Sequence, residues 1–309
     1  MSRSVSVVGF PGGGTWPVWA GLQQGCFAAH GLQVDLEFTT NSVELFKNVM
    51  AGRYHVALTA FDNIVAYQEG QGEVQLPGTP DFFAFMGCDH GFLSLMAVPG
   101  IQDIASLRGR TVSVDAMTTG FAFVLREILA RNDIGDGDVT YAAVGGGAMR
   151  LKALLEGRQE ATLLNTPLDL IAEAAGAVRL GRADSVIGPY QGGVGMARRG
   201  WARDNPAVLR AFLRGYRDAV RWLYERDNRT TAESLLVAKA PGMTPALAAR
   251  AYDVMLADTG GMSRDLGISP EGIDTVLALR SRYGQPGKVL TMRDCYLDMS
   301  YRTQALLSG

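Results

Sequence analysis

Near its start the chain reads Ser6-Val-Val-Gly-Phe-Pro-Gly-Gly-Gly-Thr-Trp16, an apolar strand pattern followed by a loop of small residues and a helix start. The same order of elements returns 105 residues later in Thr111-Val-Ser-Val-Asp-Ala-Met-Thr-Thr-Gly-Phe121. Ala51-Gly-Arg-Tyr-His-Val-Ala-Leu58 matches Glu156-Gly-Arg-Gln-Glu-Ala-Thr-Leu163 at the same offset, although letter identity is close to chance. The repeat therefore lies in the order and spacing of elements. Two similar α/β units predict a cleft between them that can hold a small molecule.

The composition is that of a globular protein with room for two domains. Of the 309 residues, 47% are apolar and 19% are charged, which excludes a disordered chain. The net charge of −2 provides no field that would attract nucleic acid or an anionic membrane, so we expect neither partner. No apolar run reaches about 18 residues, and we therefore expect no membrane insertion.

The N-terminal residues enter a strand pattern at once and lack the shape of a signal peptide. If Met1 is the native start, we expect the protein in the cytoplasm. If a leader has been removed, we expect it in the periplasm. The three cysteines, Cys26, Cys88 and Cys295, leave at least one thiol free, which mildly favours a reducing compartment.

The pattern of elements predicts one lobe that is interrupted in sequence by another. Strands and helices alternate from residue 4 to about residue 190, which indicates βαβ units and mainly parallel sheets. After Pro206 the pattern is amphipathic helix without strands, so we expect this tail to pack on the first lobe. The predicted first lobe comprises 1–92 and 193–309, and the inserted second lobe comprises 93–192, with a hinge crossing at each junction.

Ligands of open parallel α/β sheets bind beyond the carboxyl ends of the strands, and this rule selects three loops in each lobe. The six loops are 11–16, 40–42, 60–63, 115–121, 144–148 and 165–167.

In the first lobe we predict ligand contacts from Gly13, Thr15 and Trp16, through backbone N–H groups and the indole ring. The alternative is a tight turn without a ligand role. A nucleotide site is disfavoured, because the loop lacks a Walker lysine and the dinucleotide spacing. The loop after the third strand adds Phe61, Asp62 and Asn63. Asp62 either caps the following helix or accepts a hydrogen bond from the ligand.

In the second lobe, Thr118 and Thr119 either only cap the next helix or also hold a carboxylate or sulfonate. Gly146 lies in a glycine run that opens another helix and offers N–H groups. Tyr190 at the return crossing either reaches the ligand or lines the hinge. The predicted ligand-binding residues of this lobe are Asp115, Thr118, Thr119, Gly120, Phe121, Gly146, Asn165 and Tyr190.

Signals for catalysis or metal binding are few. The three histidines are far apart, and no His-Glu-x-x-His or Cys-x-x-Cys spacing occurs, so we expect no metal and no cofactor. Cys88 and His90, two positions apart on an extended chain, are the one thiol–imidazole combination that could form a nucleophile–base pair. If the protein is an enzyme, Cys88, His90 and Asp62 are its candidate catalytic residues.

Four stretches resemble the NMT1/THI5-like, or aliphatic-sulfonate/nitrate-type, solute-binding proteins. They are Trp16–Leu32, Ala51–Leu58, Ile104–Val114 and Asn205–Tyr216, with His55 standing where that family usually has Asp. The resemblance covers nearly the whole chain. It implies a type II periplasmic-binding-protein fold, with two α/β lobes, two crossings and closure around a small organic molecule.

The resemblance also implies a function, because most relatives deliver their ligand to the permease of an ABC importer. We therefore expect a monomeric solute-binding protein for an organic acid or an aromatic-like anion. A minority of the wider fold are enzymes, including pyrimidine synthases whose cysteine-rich run this chain lacks. The alternatives are an intracellular enzyme of the decarboxylase or lyase type, and an intracellular ligand sensor.

Overall fold

The computed structural model describes residues 3–258 and 260–307, in which ten strands form two five-stranded sheets. The first sheet has the order β2-β1-β3-β10-β4, with β10 antiparallel to both of its neighbours. Its strands are β1 (Arg3–Gly9), β2 (Leu32–Phe38), β3 (Val56–Ala60), β4 (Phe82–Gly87) and β10 (Gly193–Arg198).

The second sheet repeats this topology in the order β7-β6-β8-β5-β9, with β5 as the antiparallel strand. Its strands are β5 (Leu93–Ala97), β6 (Thr111–Val114), β7 (Thr140–Ala143), β8 (Ala161–Asn165) and β9 (Val178–Arg182).

The 105-residue repeat is confirmed at the level of strand register. Val7 pairs with Val56 in the first sheet, and Val112 pairs with Ala161 in the second. Adding 105 to the first pair of numbers gives the second pair. Apolar strands of this kind are buried on both faces by helices, which is why the two units carry similar patterns without similar letters.

Thirteen α-helices occur in the described part of the chain. They are α1 (Trp16–Gln23), α2 (Ser42–Met50), α3 (Phe61–Gln68), α4 (Gly120–Ala130), α5 (Gly147–Leu155), α6 (Leu168–Ala174), α7 (Ala183–Ile187), α8 (Arg199–Asp204), α9 (Pro206–Tyr224), α10 (Arg229–Lys239), α11 (Pro245–Met255), α12 (Pro270–Tyr283) and α13 (Ser300–Leu307). No helix in 3–258 or 260–307 is both long enough and apolar enough to cross a membrane.

Local chemistry explains where several helices begin. Asn41-Ser42 followed by Glu44 predicts a cap for α2, and the structure confirms it, since the Asn41 side chain accepts a hydrogen bond from the Glu44 N–H. Pro17 in a first helical turn predicts a first helix that runs to about residue 29, but α1 ends at Gln23. Gly25 then adopts a positive φ of 72°, which turns the chain out of the helix.

The chain crosses from one sheet to the other twice. It leaves β4 at Gly87 and enters the second sheet at Leu93, and it leaves β9 at Arg182 and returns at Gly193. The predicted boundaries at 92/93 and 192/193 coincide with the starts of β5 and β10. Independent motion of the two lobes about these crossings stays a prediction.

The C-terminal helices pack on the first lobe, and two of them also touch the second. Helices α9 and α13 pack on each other, and α9 also packs on α1. Helix α11 also contacts α6, while α12 lies between α3 of the first lobe and α4 of the second. The helical extension therefore spans both lobes.

Close packing of α9 on α1 fixes the helix that follows the Gly-rich loop 11–15. Phe27 lies between the two helices and stacks on Phe212 with a centroid distance of 5.4 Å. A Cβ atom on Gly215 would lie 2.4 Å from Phe27 Cδ1 and 3.0 Å from its Cα. Only glycine fits here.

We expect Gly215→Ala to lower the free energy of unfolding by about 1–2 kcal/mol, because overpacking outweighs the higher helix propensity of alanine. Urea unfolding followed by circular dichroism measures this difference. Gly137→Ala is the control, since a Cβ atom there meets nothing within 4 Å. Equal stability of the two variants would contradict the packing argument.

Candidate ligand-binding cleft

The loops that follow the strands of the two sheets meet at the interface between the lobes, with a glycine at each contact. A Cβ atom on Gly13 would lie 3.1 Å from the Thr166 carbonyl oxygen. One on Gly146 would lie 3.2 Å from the Thr40 carbonyl oxygen. The loops after β1 and β2 thus face the loops after β8 and β7. The loop after β2 thus faces its own equivalent in the repeat, whereas the loop after β1 faces the equivalent of the loop after β3.

The loop after β3 faces the loop after β6, and a buried ion pair joins them. Both carboxylate oxygens of Asp62 accept hydrogen bonds from the Arg280 guanidinium, each at 2.6 Å. Arg280 Nη2 also donates to the Thr118 carbonyl oxygen at 2.9 Å. A Cβ atom on Gly120 would lie 2.3 Å from Asp62 Cγ. Asp62 therefore neither caps α3 nor presents a free carboxylate, because Arg280 occupies both oxygens.

Sequence analysis missed Arg280, although the sequence contains a signal. The buried face of α12 carries Ile273, Val276 and Leu277, and Arg280 continues this apolar stripe at helical spacing. A charged residue in such a stripe requires a buried partner. Its partner, Asp62, is 218 residues away, so the helical pattern of α12 does not identify it.

Tyr190 lies at the return crossing with its hydroxyl buried and without a hydrogen-bond partner in the described part of the chain. Burial raises the pKa of Tyr190, and the negative charges of Asp62 and Asp115 raise it further, while Arg280 acts in the opposite direction. The hydroxyl therefore lies among charges from both lobes. Buried hydroxyls usually have a hydrogen-bond partner, and a contact of Tyr190 with a ligand stays a prediction.

In the second lobe, the predicted cap of α4 is confirmed. Thr119 Oγ1 accepts from the Ala122 N–H and donates to Asp115 Oδ1 at 2.5 Å. Thr118 contributes its backbone carbonyl to Arg280, and Phe121 is half-buried beside it. Contact of these residues with a ligand stays a prediction.

The N-terminus of α5 differs from that of α4. Its N-cap is Gly146, and no side chain of the described residues caps it. Asn165, at the end of β8, is half-buried, and its side-chain amide makes no hydrogen bond within 3–258 and 260–307. Both predicted residues thus offer unused hydrogen-bonding groups at the edge of the second sheet.

Arg150 was also missed by sequence analysis. Its side chain is buried under the first turn of α5, where Nε donates to the Gly145 carbonyl at 3.1 Å. Nη1 donates to the Leu163 carbonyl and to Thr162 Oγ1. The equivalent residue in the repeat, 105 positions earlier, is Leu45. The replacement of an apolar residue by arginine is therefore a signal that the sequence contains.

Most predicted contacts of the first lobe face its interior. Trp16 is fully buried and donates its indole N–H to the Ala232 carbonyl at 3.2 Å. Thr15 and Phe61 are also buried, whereas Asn63 is half-buried. These residues lie on the cleft loops, but their role as ligand contacts stays a prediction.

Cys88 is buried, and burial raises the pKa of its thiol far above the usual range, with a further rise from the Asp89 charge. A nucleophilic cysteine needs an accessible thiolate. No hydrogen bond of the described residues joins Cys88 to His90. Together with the ion-paired Asp62, this environment counts against the interpretation of these three residues as catalytic.

Helix α12 also forms hydrogen bonds with α4 of the second lobe, in addition to the bond from Arg280 to Thr118. The Glu127 carboxylate of α4 accepts hydrogen bonds from Arg282 Nη1 and the Tyr283 hydroxyl, each at 2.9 Å. Arg131, the C-cap residue of α4, donates to it at 2.8 Å. Burial alone would raise the pKa of Glu127, but the Arg131 and Tyr283 hydrogen bonds and the Arg282 charge hold that pKa below its ordinary value.

Since the folded-state pKa of Glu127 is lowered, its stabilising effect is present above about pH 4.5 and is lost as the pH falls through the folded value. We expect Glu127→Gln to cost about 2 kcal/mol of unfolding free energy at pH 7. The difference from wild type should disappear towards pH 3. Urea unfolding across this range measures it, with the exposed Glu156→Gln as control. A pH-independent difference would contradict the ion-pair account.

We expect iodoacetamide to modify Cys295 readily in the folded protein and Cys88 only after unfolding. Cys295 is exposed, whereas the Cys88 thiol is both buried and protonated at neutral pH. Peptide mass spectrometry at pH 7.5, with and without urea, reports both sites. Rapid labelling of Cys88 in the folded state would restore it as a candidate nucleophile.

Comparison with known structures identifies the fold. A protein from Bordetella bronchiseptica RB50 has a TM-score of 0.80 at 18% identity, with 99% of this chain and 98% of that chain covered. The ligand-binding component of an ABC-type import system from Staphylococcus aureus has a TM-score of 0.78 at 16% identity, covering 98% and 99%. The periplasmic nitrate-binding protein NrtA from Synechocystis PCC 6803 has 0.84 at 13%, covering 99% and 89%.

These similarities, together with the two repeated sheets, show the type II periplasmic-binding-protein fold. No curated protein sequence matches the chain significantly. A family model described as NMT1/THI5 like matches residues 15–229, which is more than half of the 309 residues. The chain therefore belongs to the NMT1/THI5-like family.

Proposed function

We propose that this protein binds a small organic molecule between its lobes and delivers it to the permease of an ABC importer. The observation that carries the proposal is the meeting of loops from both sheets, with glycine at each contact. The Staphylococcus aureus and Synechocystis structures, which are a ligand-binding import component and a nitrate-binding protein, support the same role. On this proposal the protein acts as a monomer in the periplasm.

The ligand on this proposal is an organic acid or an aromatic-like anion. Helices α4 and α5 begin at the cleft, and their N-terminal N–H groups and dipoles favour negative charge. Exposed apolar side chains lie on or next to the cleft loops, namely Phe38 at the end of β2, Met117 after β6 and Met149 in the first turn of α5. Acidic and apolar parts of one molecule would both find partners here.

On this proposal, the two lobes close around the ligand when it binds. A ligand that contacts both lobes binds the closed state more tightly than the open state, and it shifts the population accordingly. Closure brings Gly120 against Asp62 and re-forms the hydrogen bond from Arg280 to Thr118. The permease then distinguishes loaded from empty protein by the arrangement of the lobes.

We expect native mass spectrometry of freshly purified protein, followed by thermal-shift screening, to identify a stabilising ligand among carboxylates, sulfonates and pyrimidines. A ligand present at 100 times its Kd adds about 2.7 kcal/mol of stability. Small-angle scattering should show a smaller radius of gyration with ligand. Turnover of a screened compound, or no binding by any class, would overturn the proposal.

Gly120→Ala tests closure directly, because its Cβ atom would collide with the ion-paired Asp62. We expect about tenfold weaker binding, since 1.4 kcal/mol of overpacking in the closed state corresponds to a factor of ten. Gly137→Ala, in the same lobe but in open space, should bind like wild type. Unchanged affinity in Gly120→Ala would show that binding does not require this approach of the lobes.

A further inference from the structure

Two arginines are buried beside the cleft, and only one of them has a counter-ion. Arg280 is fully buried and is neutralised by Asp62 through two hydrogen bonds. Arg150 is only 3% exposed, and no carboxylate of the described residues lies within ion-pair distance of it. Its guanidinium donates hydrogen bonds to two backbone carbonyls and to the Thr162 hydroxyl.

A buried charge without a counter-ion is costly, because neutral dipoles replace water only in part. Burial accordingly lowers the pKa of Arg150, and the charge of Asp115, beyond ion-pair distance, opposes this shift. A negatively charged group of a bound ligand would neutralise the charge of Arg150. The environment of Arg150 thus favours a negative group that the chain itself does not supply.

The internal repeat shows that the fold does not require an arginine at this position. Helices α2 and α5 correspond residue for residue at the 105-residue offset. In α2 the equivalent of Arg150 is Leu45, which is fully buried, and the Asn41 side chain caps the helix. In α5 the same two positions hold Arg150 and the uncapped Gly146. Both differences add unused positive potential at one edge of the cleft.

Another polar side chain, the carboxamide of Asn165, lies near the same place. The Cβ position of Gly147 lies 3.9 Å from Arg150 Nη2 and 3.6 Å from Asn165 Oδ1. Nη2 has no recorded acceptor, and the Asn165 amide is also without a partner in 3–258 and 260–307. A guanidinium, a carboxamide and free helix N–H groups together form a donor set for a planar or tetrahedral oxyanion.

We propose that Arg150, together with Asn165 and the N-terminus of α5, binds the carboxylate or sulfonate of the ligand. This assignment rests on the proposed solute-binding function and specifies which part of the cleft holds the acidic group. Since Arg150 is buried when the lobes are together, the acid is enclosed on closure, with Thr40 of the first lobe opposite Gly146.

The test compares acids with their neutral amides on the full chain. Thermal shift and isothermal titration are run with benzoate, benzenesulfonate, acetate and methanesulfonate, and with benzamide, benzenesulfonamide and acetamide. Wild type should bind at least one acid at least tenfold more tightly than its amide. Arg150→Gln should lose that preference, whereas Arg158→Gln, an exposed arginine just after the same helix, should keep it.

If Arg150→Gln fails to fold, Arg150→Lys replaces it, and the expected result is a weaker but remaining preference for the acid. The wild-type comparison of acid with amide needs no variant. Equal binding of acid and amide by wild type, or an Arg150→Gln affinity within twofold of wild type, would overturn the assignment. Binding of neutral compounds alone would overturn it while leaving the solute-binding function intact, and binding of no compound would overturn both.

Discussion

The hydrogen-bonded pair of Asp62 and Arg280 is the interaction on which the interface between the lobes depends. It joins α3 of the first lobe to α12, and through the Thr118 carbonyl it reaches the second lobe. Removing one partner of a buried pair leaves an uncompensated charge, which costs about 3–5 kcal/mol. The glycine at position 120 is required by the same pair, because any larger residue would displace it.

Helix α12 gives the two lobes a link beyond the two chain crossings. Its polar contacts to Thr118 and Glu127 lie on the second lobe, while Asp62 lies on the first. On the proposed function, opening of the cleft would have to break the contacts on one side of this helix. Both ligand contacts and hydrogen bonds within the chain would then stabilise the closed state.

Sequence patterns predicted the features that depend on local chemistry. The repeat at 105 residues, the caps at Asn41 and Thr119 and the helices after Pro206 all follow from spacing and residue type. The Asp62–Arg280 pair could not be predicted, because its partners are 218 residues apart and neither type specifies the other. The lack of a counter-ion for Arg150 likewise could not be predicted, because it depends on which residues the fold brings next to the guanidinium.

The way in which the loops of the two lobes face each other has a consequence for the orientation of a ligand on the proposed function. The two lobes share strand order and register, and the loop after β1 faces the loop after β8 while the loop after β3 faces the loop after β6, so the order of the loops is the same from either lobe. This order alone cannot distinguish the two ends of a ligand. That distinction comes from side chains, since the first lobe presents a neutralised acid at Asp62 and the second an unneutralised base at Arg150. On the proposed function, the few positions at which the repeat is broken would therefore determine which end of the ligand lies against which lobe.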